Sequence, residues 1–557
     1  MTPRLIFAGI AAVFLAECGA ASADVKMPAI FGDHMVLQQD MGVPVWGTAD
    51  PSEGIKVTVG NHSATATAGV DGRWMVKLAP FPASAESMTM TVTGKNTLRF
   101  VDVLIGEVWV CSGQSNMAYP LSESVSGSEA ALKSQDTKLR LFTMAHRMTH
   151  KPVTDIEGKW EICEPDTAAA FPAVGYFFGR DIRAKLGRPV GLIAMHYGGS
   201  SAVAWVSIEG LEKEPALHGY VKKWNRIDAA YAYAVANYPA QMLAYETALS
   251  YWNKQYGKGY NESMNHWKEE TGKAIATGQK LPAPPIPPAP IPKKPKPEGD
   301  EFDPSTLYNG MVAPLERYGI RGVIWYQGET NAPRASEYRL LFSRLITDWR
   351  ERWGEGDFPF LYVQLAGYRA DDTDNWAQLR EAQLQTLSVP NTGMATAVDI
   401  GEPDKIHPRD KLDVGKRLAL AALHVAYGED IVYSGPLFEG VTKERDGLRV
   451  AFTNTGSGLV IGQAPWTGGL AEKLPTDHLI GFEVAGSDGQ WIPADAKIIS
   501  NTVLVRSPKV PDPVVVRYAW KEYPEGNLYN KEGLPASPFL GSTNNTAEQA
   551  VRTTDSK

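Results

Sequence analysis

The sequence contains little cysteine. Only three of its 557 residues are Cys, and only Cys111 and Cys163 lie beyond the N-terminal segment. Two thiols cannot form a Cys₄ zinc site or the dense disulfide framework of a small secreted domain. One bridge between them and two buried free thiols both fit the sequence. The fold must therefore be held together mainly by hydrophobic cores.

Long hydrophobic runs are also missing. The apolar stretch 5–15 is shorter than the roughly 20 residues that a membrane-spanning helix needs. Arg4 precedes it, and the small residues Ala21-Ser22-Ala23 follow it. This pattern predicts a secretory signal peptide over residues 1–23, with a secreted or periplasmic mature chain that begins at Asp24. No membrane span is expected elsewhere.

The chain has no excess of positive charge. It has 55 Lys and Arg against 63 Asp and Glu, which gives a formal net charge of −8. Non-specific nucleic-acid binders present a basic face, so nucleic acid is excluded as a partner. Hydrophobic residues make up 43% of the chain, which excludes disorder of the whole chain. A chain of this length exceeds one hydrophobic core and predicts several domains.

Both ends of the mature chain show strand patterning. Ile55–Val59 and Leu448–Phe452 alternate apolar and polar residues, with turn residues between such stretches. We predict an N-terminal β-sandwich domain over 24–102 and a C-terminal β domain over 435–540. Residues 541–557 are polar and predict a frayed tail.

The middle of the chain, 103–434, alternates short apolar strands with helical stretches. This rhythm predicts an α/β fold, with a parallel sheet between layers of helices. The predicted strands are Val108–Cys111, Gly191–Met195, Gly322–Tyr326, Phe360–Leu365 and Met394–Val398.

An insertion over about 211–304 interrupts this α/β rhythm. Its first part is helical and rich in Ala, Tyr and Trp, and nine of the 17 residues from 281 to 297 are Pro. Proline at that density excludes a helix or a central strand, so the stretch predicts an extended, exposed tether.

Two polar segments follow predicted strands, where ligands bind in open parallel sheets. Ser115 lies in Gly113–Met117, and it is either a nucleophile on a tight turn or an N-cap residue. His407 lies three residues after Asp404, a spacing that lets a carboxylate orient a basic imidazole. A structural loop histidine is the alternative. His146 and His150, without a third ligand spaced with them, are interpreted as surface residues.

A third polar segment follows Trp325-Tyr326. Gln327 or Asn331 could donate a hydrogen bond to an oxyanion, and Glu329 could orient a neighbour or cap a helix. Gly198-Gly199, after another strand, offers an unobstructed backbone N–H group. Together the three segments supply a nucleophile, a base, an orienting acid and oxyanion donors, which predicts an esterase. A glycosidase would need two carboxylates roughly 5–10 Å apart, and no such pair is evident.

The separated motifs resemble the sialate O-acetylesterase family of SGNH hydrolases, to which carbohydrate acetylesterases of xyloglucan or xylan are similar. The resemblance covers roughly residues 26–540. It rests on Gly113-Gln-Ser-Asn-Met117, Gly198-Gly-Ser200 with Trp205, Trp325-Tyr-Gln-Gly-Glu-Thr-Asn331, Trp376 with Leu379-Arg-Glu-Ala-Gln383, and Ile406-His-Pro408.

The resemblance implies an SGNH-like α/β/α fold and a serine esterase without metal or cofactor. It implies Ser115 as nucleophile, His407 as base, and an oxyanion hole of Ser115, Gly199 and Gln327. We predict Asp404 as the acid. Asp399, Glu402 or a backbone carbonyl are the alternatives.

The predicted partner is an acetylated oligosaccharide or polysaccharide, and the oligomeric state stays open. The acidic chain and its many Trp residues favour neutral plant polysaccharide over O-acetylated sialic acid. A non-catalytic carbohydrate-binding protein is the alternative of another class. Aromatic side chains near the motifs that either contact substrate or pack in the core are Tyr119, Trp205, Trp325 and Trp376. Glu329 is a further candidate for substrate contact, and Arg380 either contacts an acidic sugar or, as the favoured alternative, forms an internal ion pair.

Overall fold

The computed structural model describes residues 24–277, 282–369, 375–445, 447–465 and 468–543. The predicted signal peptide, and the predicted tail from residue 544 onward, lie outside the described residues. Within the described ranges, no helix is both long enough and apolar enough to cross a membrane.

The N-terminal strands end in one strand of 17 residues that enters the central sheet. Its first half pairs with N-terminal strands, and Glu107–Gly113 pairs with central ones. The predicted boundary at residue 102 therefore lies inside a continuous strand. The strands of this part are β1 (Val36–Gln38), β2 (Val43–Thr48), β3 (Gly54–Val59), β4 (His62–Thr67), β5 (Arg73–Leu78), β6 (Ser84–Thr93) and β7 (Thr97–Gly113).

The central sheet confirms the predicted α/β fold. It adds β8 (Asp136–Met144), β9 (Gly158–Cys163), β10 (Val190–His196), β11 (Gly322–Tyr326), β12 (Phe360–Gln364) and β13 (Thr392–Thr396). Its order is β13-β12-β11-β7-β10-β8-β9, and only β9 runs antiparallel to its neighbour. Strand β8 was not predicted, because Lys138 and Arg140 interrupt its apolar pattern.

Two helix pairs pack on this sheet, α4 with α10 and α8 with α9. The helices are α1 (Ser115–Ala118), α2 (Gly127–Leu132), α3 (Pro165–Ala170), α4 (Ala173–Leu186), α5 (Ile208–Glu212), α6 (His218–Trp252), α7 (Lys258–Thr277), α8 (Ala335–Trp353), α9 (Trp376–Gln385) and α10 (Lys411–Val425).

The insertion is a long helix followed by a returning strap. A π-helical turn over Asn253–Gly257 joins α6 to α7. Residues 282–297 contain neither helix nor strand and run back along this helix. Trp267 Nε1 donates to the Pro282 carbonyl (2.8 Å) and Trp252 Nε1 to the Ala289 carbonyl (3.0 Å). The proline-rich stretch is extended, as expected, but it is bound to the helix rather than free.

His150 anchors the base of this insertion. Its ring stacks on Trp224 and Tyr231, and its Nε2 lies 2.8 Å from Asp228 Oδ1. Only 1% of it is exposed, so the interpretation of His150 as a surface residue was wrong. Its partners come from a helix some 75 residues away, which local sequence cannot reveal.

The C-terminal strands form antiparallel sheets around a separate hydrophobic core. They are β14 (Leu437–Glu444), β15 (Gly447–Thr453), β16 (Leu459–Gln463), β17 (Glu472–Lys473), β18 (Phe482–Ala485), β19 (Ile492–Pro493), β20 (Asp495–Ile499), β21 (Thr502–Arg506), β22 (Val515–Tyr518), β23 (Leu528–Asn530) and β24 (Phe539–Ser542).

The two remaining cysteines are free and buried. Burial raises the pKa of the Cys163 thiol to about 12 and raises that of Cys111 further. Neither thiol ionises near neutral pH. Of the two possibilities that the sequence left open, the structure selects buried free thiols.

Arg380, on α9, joins the C-terminal region to the central sheet. Its guanidinium donates to the carbonyls of Leu365 and Ala366, next to β12. It also donates to the carbonyls of Lys521 and Glu522. Because the side chain is fully buried among these four acceptors, the expectation of a sugar contact at Arg380 is wrong.

Replacing Arg380 with Met should destabilise the fold by about 2–4 kcal/mol, because several buried carbonyls lose their donor. The measurement is urea unfolding followed by tryptophan fluorescence. Arg369→Met, at a largely exposed arginine, is the matched control and should change stability by well under about 1 kcal/mol. An unchanged unfolding midpoint in the Arg380 variant would contradict this role.

Candidate active site

Three adjacent strands end at one edge of the central sheet. Gly113, the last residue of β7, pairs with His196 at the end of β10 and with Tyr326 at the end of β11. Because all three strands are parallel, the segments that follow them meet there. The three strand ends thereby bring together the Ser115 segment, Gly198-Gly199 and the segment from Gln327 to Asn331, all of which the sequence had pointed to.

Ser115 begins α1 directly after this turn. Gly113 has φ +134°, and a Cβ there would lie 2.2 Å from the Tyr326 carbonyl oxygen. The turn therefore requires glycine. The N-cap position of α1 is Gln114, and its side chain makes no cap hydrogen bond. Ser115 is thus not the N-cap residue, and its hydroxyl is free for another partner.

That partner is His407. Its Nε2 lies 2.7 Å from Ser115 Oγ, across 292 positions of sequence. Burial lowers the pKa of His407, and the positive charge of Lys411 lowers it further. A neutral imidazole in this position can accept the serine proton.

The structure does not bring a carboxylate onto His407. Asp404 Oδ1 lies 2.6 Å from Arg369 Nη1. Glu402 pairs with Lys405 and Arg409, and Asp399 with Arg417. Within the described ranges, none of the three candidate acids hydrogen-bonds the imidazole. The identity of the acid stays a prediction.

The backbone near Gly199 borders Ser115. A Cβ on Gly198 would lie 3.9 Å from the Cβ of Ser115, so this loop flanks the serine. Gly199 itself is exposed and has φ +74°, and a Cβ placed on it would have no neighbour within 4 Å. Within the described ranges, its N–H group donates to no backbone carbonyl, which leaves it available to a ligand.

Gln327 does not face this space. Its Nε2 donates to the Ser200 carbonyl (3.2 Å) and to Asn331 Oδ1 (2.8 Å), which uses both amide hydrogens. Its Oε1 accepts from Tyr338. The expectation that Gln327 donates to an oxyanion is therefore wrong. Among the described atoms, Nδ2 of the buried Asn331 has no partner, so of the two amides considered as oxyanion donors it is Asn331 that retains an unused N–H group.

Most of the expected substrate contacts are core residues. Trp205 and Trp325 are fully buried and pack edge to face at 5.8 Å. Trp376 is 2% exposed and donates to the Ala366 carbonyl. Glu329 is 7% exposed, with its Oε1 bound to Asn116. These four side chains cannot stack on a sugar, so their assignment to substrate binding is wrong.

Three other rings reach the surface near this edge. Tyr119, among the expected contacts, is half-buried and follows α1. Tyr197 and His146 follow β10 and β8, with ring centroids 5.2 Å apart. Sequence analysis did not select Tyr197, although its position between a strand end and Gly198 was a usable signal.

In comparisons with known proteins, the chain is similar to carbohydrate acetylesterases. A family model described as carbohydrate esterase, sialic acid-specific acetylesterase matches residues 298–424. The sialate O-acetylesterases of mouse and human are 25% and 26% identical to this chain, each alignment covering 97% of it. These alignments cover 98% of the mouse protein and 97% of the human one.

A solved structure extends the likeness. A carbohydrate acetylesterase from Xanthomonas citri is 34% identical, with a TM-score of 0.72. The match covers 93% of this chain and 100% of that one. The two proteins are therefore similar in sequence, and in the arrangement of their helices and strands, over nearly their whole length.

Gly113→Ala should displace Ser115, because the new methyl group collides with the Tyr326 carbonyl. We expect labelling of Ser115 by a fluorophosphonate to slow by more than about 10²-fold. The measurement is the rate of adduct formation by mass spectrometry. Gly187→Ala is the matched control, since Gly187 also has positive φ (66°) but no neighbour within 4 Å. Equal labelling of both variants would contradict the geometric argument.

Proposed function

Because the chain belongs to the sialate O-acetylesterase family of carbohydrate esterases and is an acetylesterase, we propose that Ser115 and His407 remove acetyl groups from O-acetylated sialic acids. The observation that carries the proposal is the 2.7 Å contact between Ser115 Oγ and His407 Nε2. A serine is a weak nucleophile alone, and an adjacent neutral imidazole activates it.

The first step forms an acetyl-enzyme. His407 Nε2 takes the proton of Ser115 as Oγ attacks the acetyl carbonyl carbon. For Nε2 to accept, the proton of the neutral ring must reside on Nδ1. The lowered pKa of His407 favours that neutral ring near pH 7.

The oxyanion of the tetrahedral intermediate needs donors. We assign this role to the backbone N–H groups of Ser115 and Gly199. Ser115 directly follows the Gly113 turn, and Gly199 belongs to the turn that lies beside the serine. Nδ2 of Asn331 takes the place that the sequence analysis gave to Gln327, because both amide hydrogens of Gln327 are already donated. Loss of one such donor typically lowers turnover by about 10²–10³.

Collapse of the intermediate releases the sugar. His407 returns the proton to the sugar oxygen as the carbon–oxygen bond breaks. Water, deprotonated by the same imidazole, then hydrolyses the acetyl-enzyme and restores Ser115. Protein side chains supply every proton transfer in this sequence.

Asp404 enters the proposal as the residue that orients His407. Asp404 lies three residues before His407 in the same loop, which suits that role, although its carboxylate forms an ion pair with Arg369. That ion pair is largely exposed, and exposed pairs contribute only about 0–1 kcal/mol. Movement of the Asp404 carboxylate from Arg369 to His407 Nδ1 on substrate binding would therefore cost at most about 1 kcal/mol.

Two observations, one from the comparisons and one from the core, support the proposed substrate class. Curated relatives and the family model are named for sialic acid, which supports an O-acetylated sialic acid. The sequence analysis favoured neutral plant polysaccharide partly because of the many Trp residues. Since Trp205, Trp325 and Trp376 are buried, that support is lost.

The substrate assignment predicts which ester is cleaved. Wild-type protein should release acetate fastest from O-acetylated sialic acids, in a panel with acetylated xyloglucan oligosaccharides and acetylated xylan. Ser115→Ala should lower release at least about 10³-fold. Faster, Ser115-dependent release from xyloglucan or xylan would keep the esterase and replace its substrate. No release from any of them would favour the non-catalytic carbohydrate-binding protein.

The acid assignment predicts a difference between two partners. Asp404→Asn should lower kcat by about 10²–10⁴, because the imidazole loses its orienting carboxylate. Arg369→Gln, which removes the other half of the ion pair, should leave kcat within about twofold. Equal, small effects in steady-state kinetics of both variants would make Asp404 only an ion-pair partner of Arg369.

A further inference from the structure

A lysine is buried directly beneath the proposed catalytic pair. Lys411, the first residue of α10, has no exposed surface. Its Nζ lies 5.1 Å from the ring centroids of Tyr119 and Tyr326. Removing an ammonium group from water is costly unless partners compensate it. The partners of this group therefore indicate why it is there.

Lys411 acts on the side chain of Asn116. Nζ donates to Asn116 Oδ1 (2.5 Å), while Asn116 Nδ2 donates to Glu329 Oε1 (2.5 Å) and to the Ile406 carbonyl (2.9 Å). The single acceptor and both donor hydrogens of the amide are in use. Only one orientation of the amide satisfies an ammonium on one side and two acceptors on the other.

The positions of these residues in the sequence show which segments the hydrogen-bond network connects. Asn116 directly follows Ser115, and Ile406 directly precedes His407. The Asn116 amide thus joins the nucleophile segment to the base segment through one hydrogen bond. Glu329, from the segment after β11, supplies the opposite charge for the buried ammonium.

We propose that Lys411 is a positioning residue of the esterase, which orients Asn116 so that the Ser115 and His407 segments hold their 2.7 Å contact, with Glu329 as its buried counter-charge. The inference rests on the proposed function of Ser115 and His407. It assigns to the lysine a task in catalysis rather than in packing alone.

The same geometry gives Lys411 an electrostatic effect on His407. Burial lowers the pKa of Lys411 to about 7 and raises that of Glu329. The Lys411 charge in turn lowers the pKa of His407. The groups that act on Lys411 from the packed elements are Glu329 after β11, Tyr326 on β11, Tyr119 after α1, Asp410 at the start of α10 and Glu402 in the His407 loop. The Glu402 carboxylate in turn pairs with Lys405 and Arg409, and Asp404 pairs with Arg369.

The sign of this effect follows from the charges. A positive charge beside the imidazole disfavours the imidazolium form, so it keeps His407 neutral to lower pH. Activity requires the neutral ring and falls as the pH drops through the pKa of His407. Removing the lysine charge raises that pKa, which moves the acid limb of the pH profile to higher pH.

Lys411→Met tests both effects, since it retains most of the side-chain volume and removes the charge. We expect the acid limb of kcat/KM to move up by about one pH unit, and kcat at its plateau to fall about tenfold. A merely structural lysine would lower the unfolding temperature and leave the acid limb in place. Lys405→Met, in the same loop and paired with Glu402, is the matched control and should leave the limb unchanged.

Asn116→Asp is a second, isosteric variant for the case in which Lys411→Met does not fold. Its carboxylate would face the Ile406 carbonyl and Glu329, acceptor against acceptor, and would loosen the two segments. We expect kcat to fall about 10²-fold with KM little changed.

The outcomes separate this inference from the proposed function. Activity that survives in Ser115→Ala overturns the proposed function and the inference with it. If Ser115 is essential, while the acid limb of Lys411→Met and the kcat of Asn116→Asp match wild type, only the positioning role of Lys411 is overturned.

Discussion

The hydrogen bond between Ser115 Oγ and His407 Nε2 is the contact on which the rest of the site depends. It joins residues 292 positions apart, so no local element can form it. The parallel sheet makes it possible, because β7 carries the serine to the same edge at which the His407 loop, between β13 and α10, returns. Closing so long a segment is tolerable because closure entropy rises only with the logarithm of its length.

The sheet brings the loops of the site to one edge, and buried hydrogen bonds then fix the positions of those loops. The Gln327 amide holds the Ser200 carbonyl, and the Asn116 amide holds the Ile406 carbonyl. The first contact fixes the loop that flanks Ser115, and the second fixes the loop that carries His407. Each of these two amides has its oxygen and both of its N–H hydrogens in hydrogen bonds, so the carbonyls that they hold have few alternative positions. The proposed proton transfer from Ser115 to His407 requires such a fixed geometry.

Sequence predicted the parts of the fold that depend on local pattern. The five parallel strands follow from short apolar runs, and the turn at Gly113 follows from a glycine close to Ser115, directly after a strand. The roles of Trp205, Trp325 and Gln327 were mistaken, because a residue near a strand end can point into the core or into the cleft. Which one it does depends on contacts such as that of Gln327 with Tyr338, 11 positions away on α8. Asp404 illustrates the same difficulty, since the spacing predicts one partner and the structure shows Arg369.

The insertion shows how a large addition leaves such a site intact. Its two ends meet, since Ser305 N donates to the Val203 carbonyl (3.1 Å) and Ser305 Oγ to that of Val206 (2.6 Å). The α/β elements before and after it are therefore spaced as if only a short loop joined them. Asp348 on α8 holds Ser207 at the start of the insertion, so the joint itself is part of the packed core. Because the joint is fixed in this way, the long helix and its proline strap can project outward while the loops that flank Ser115 keep their places.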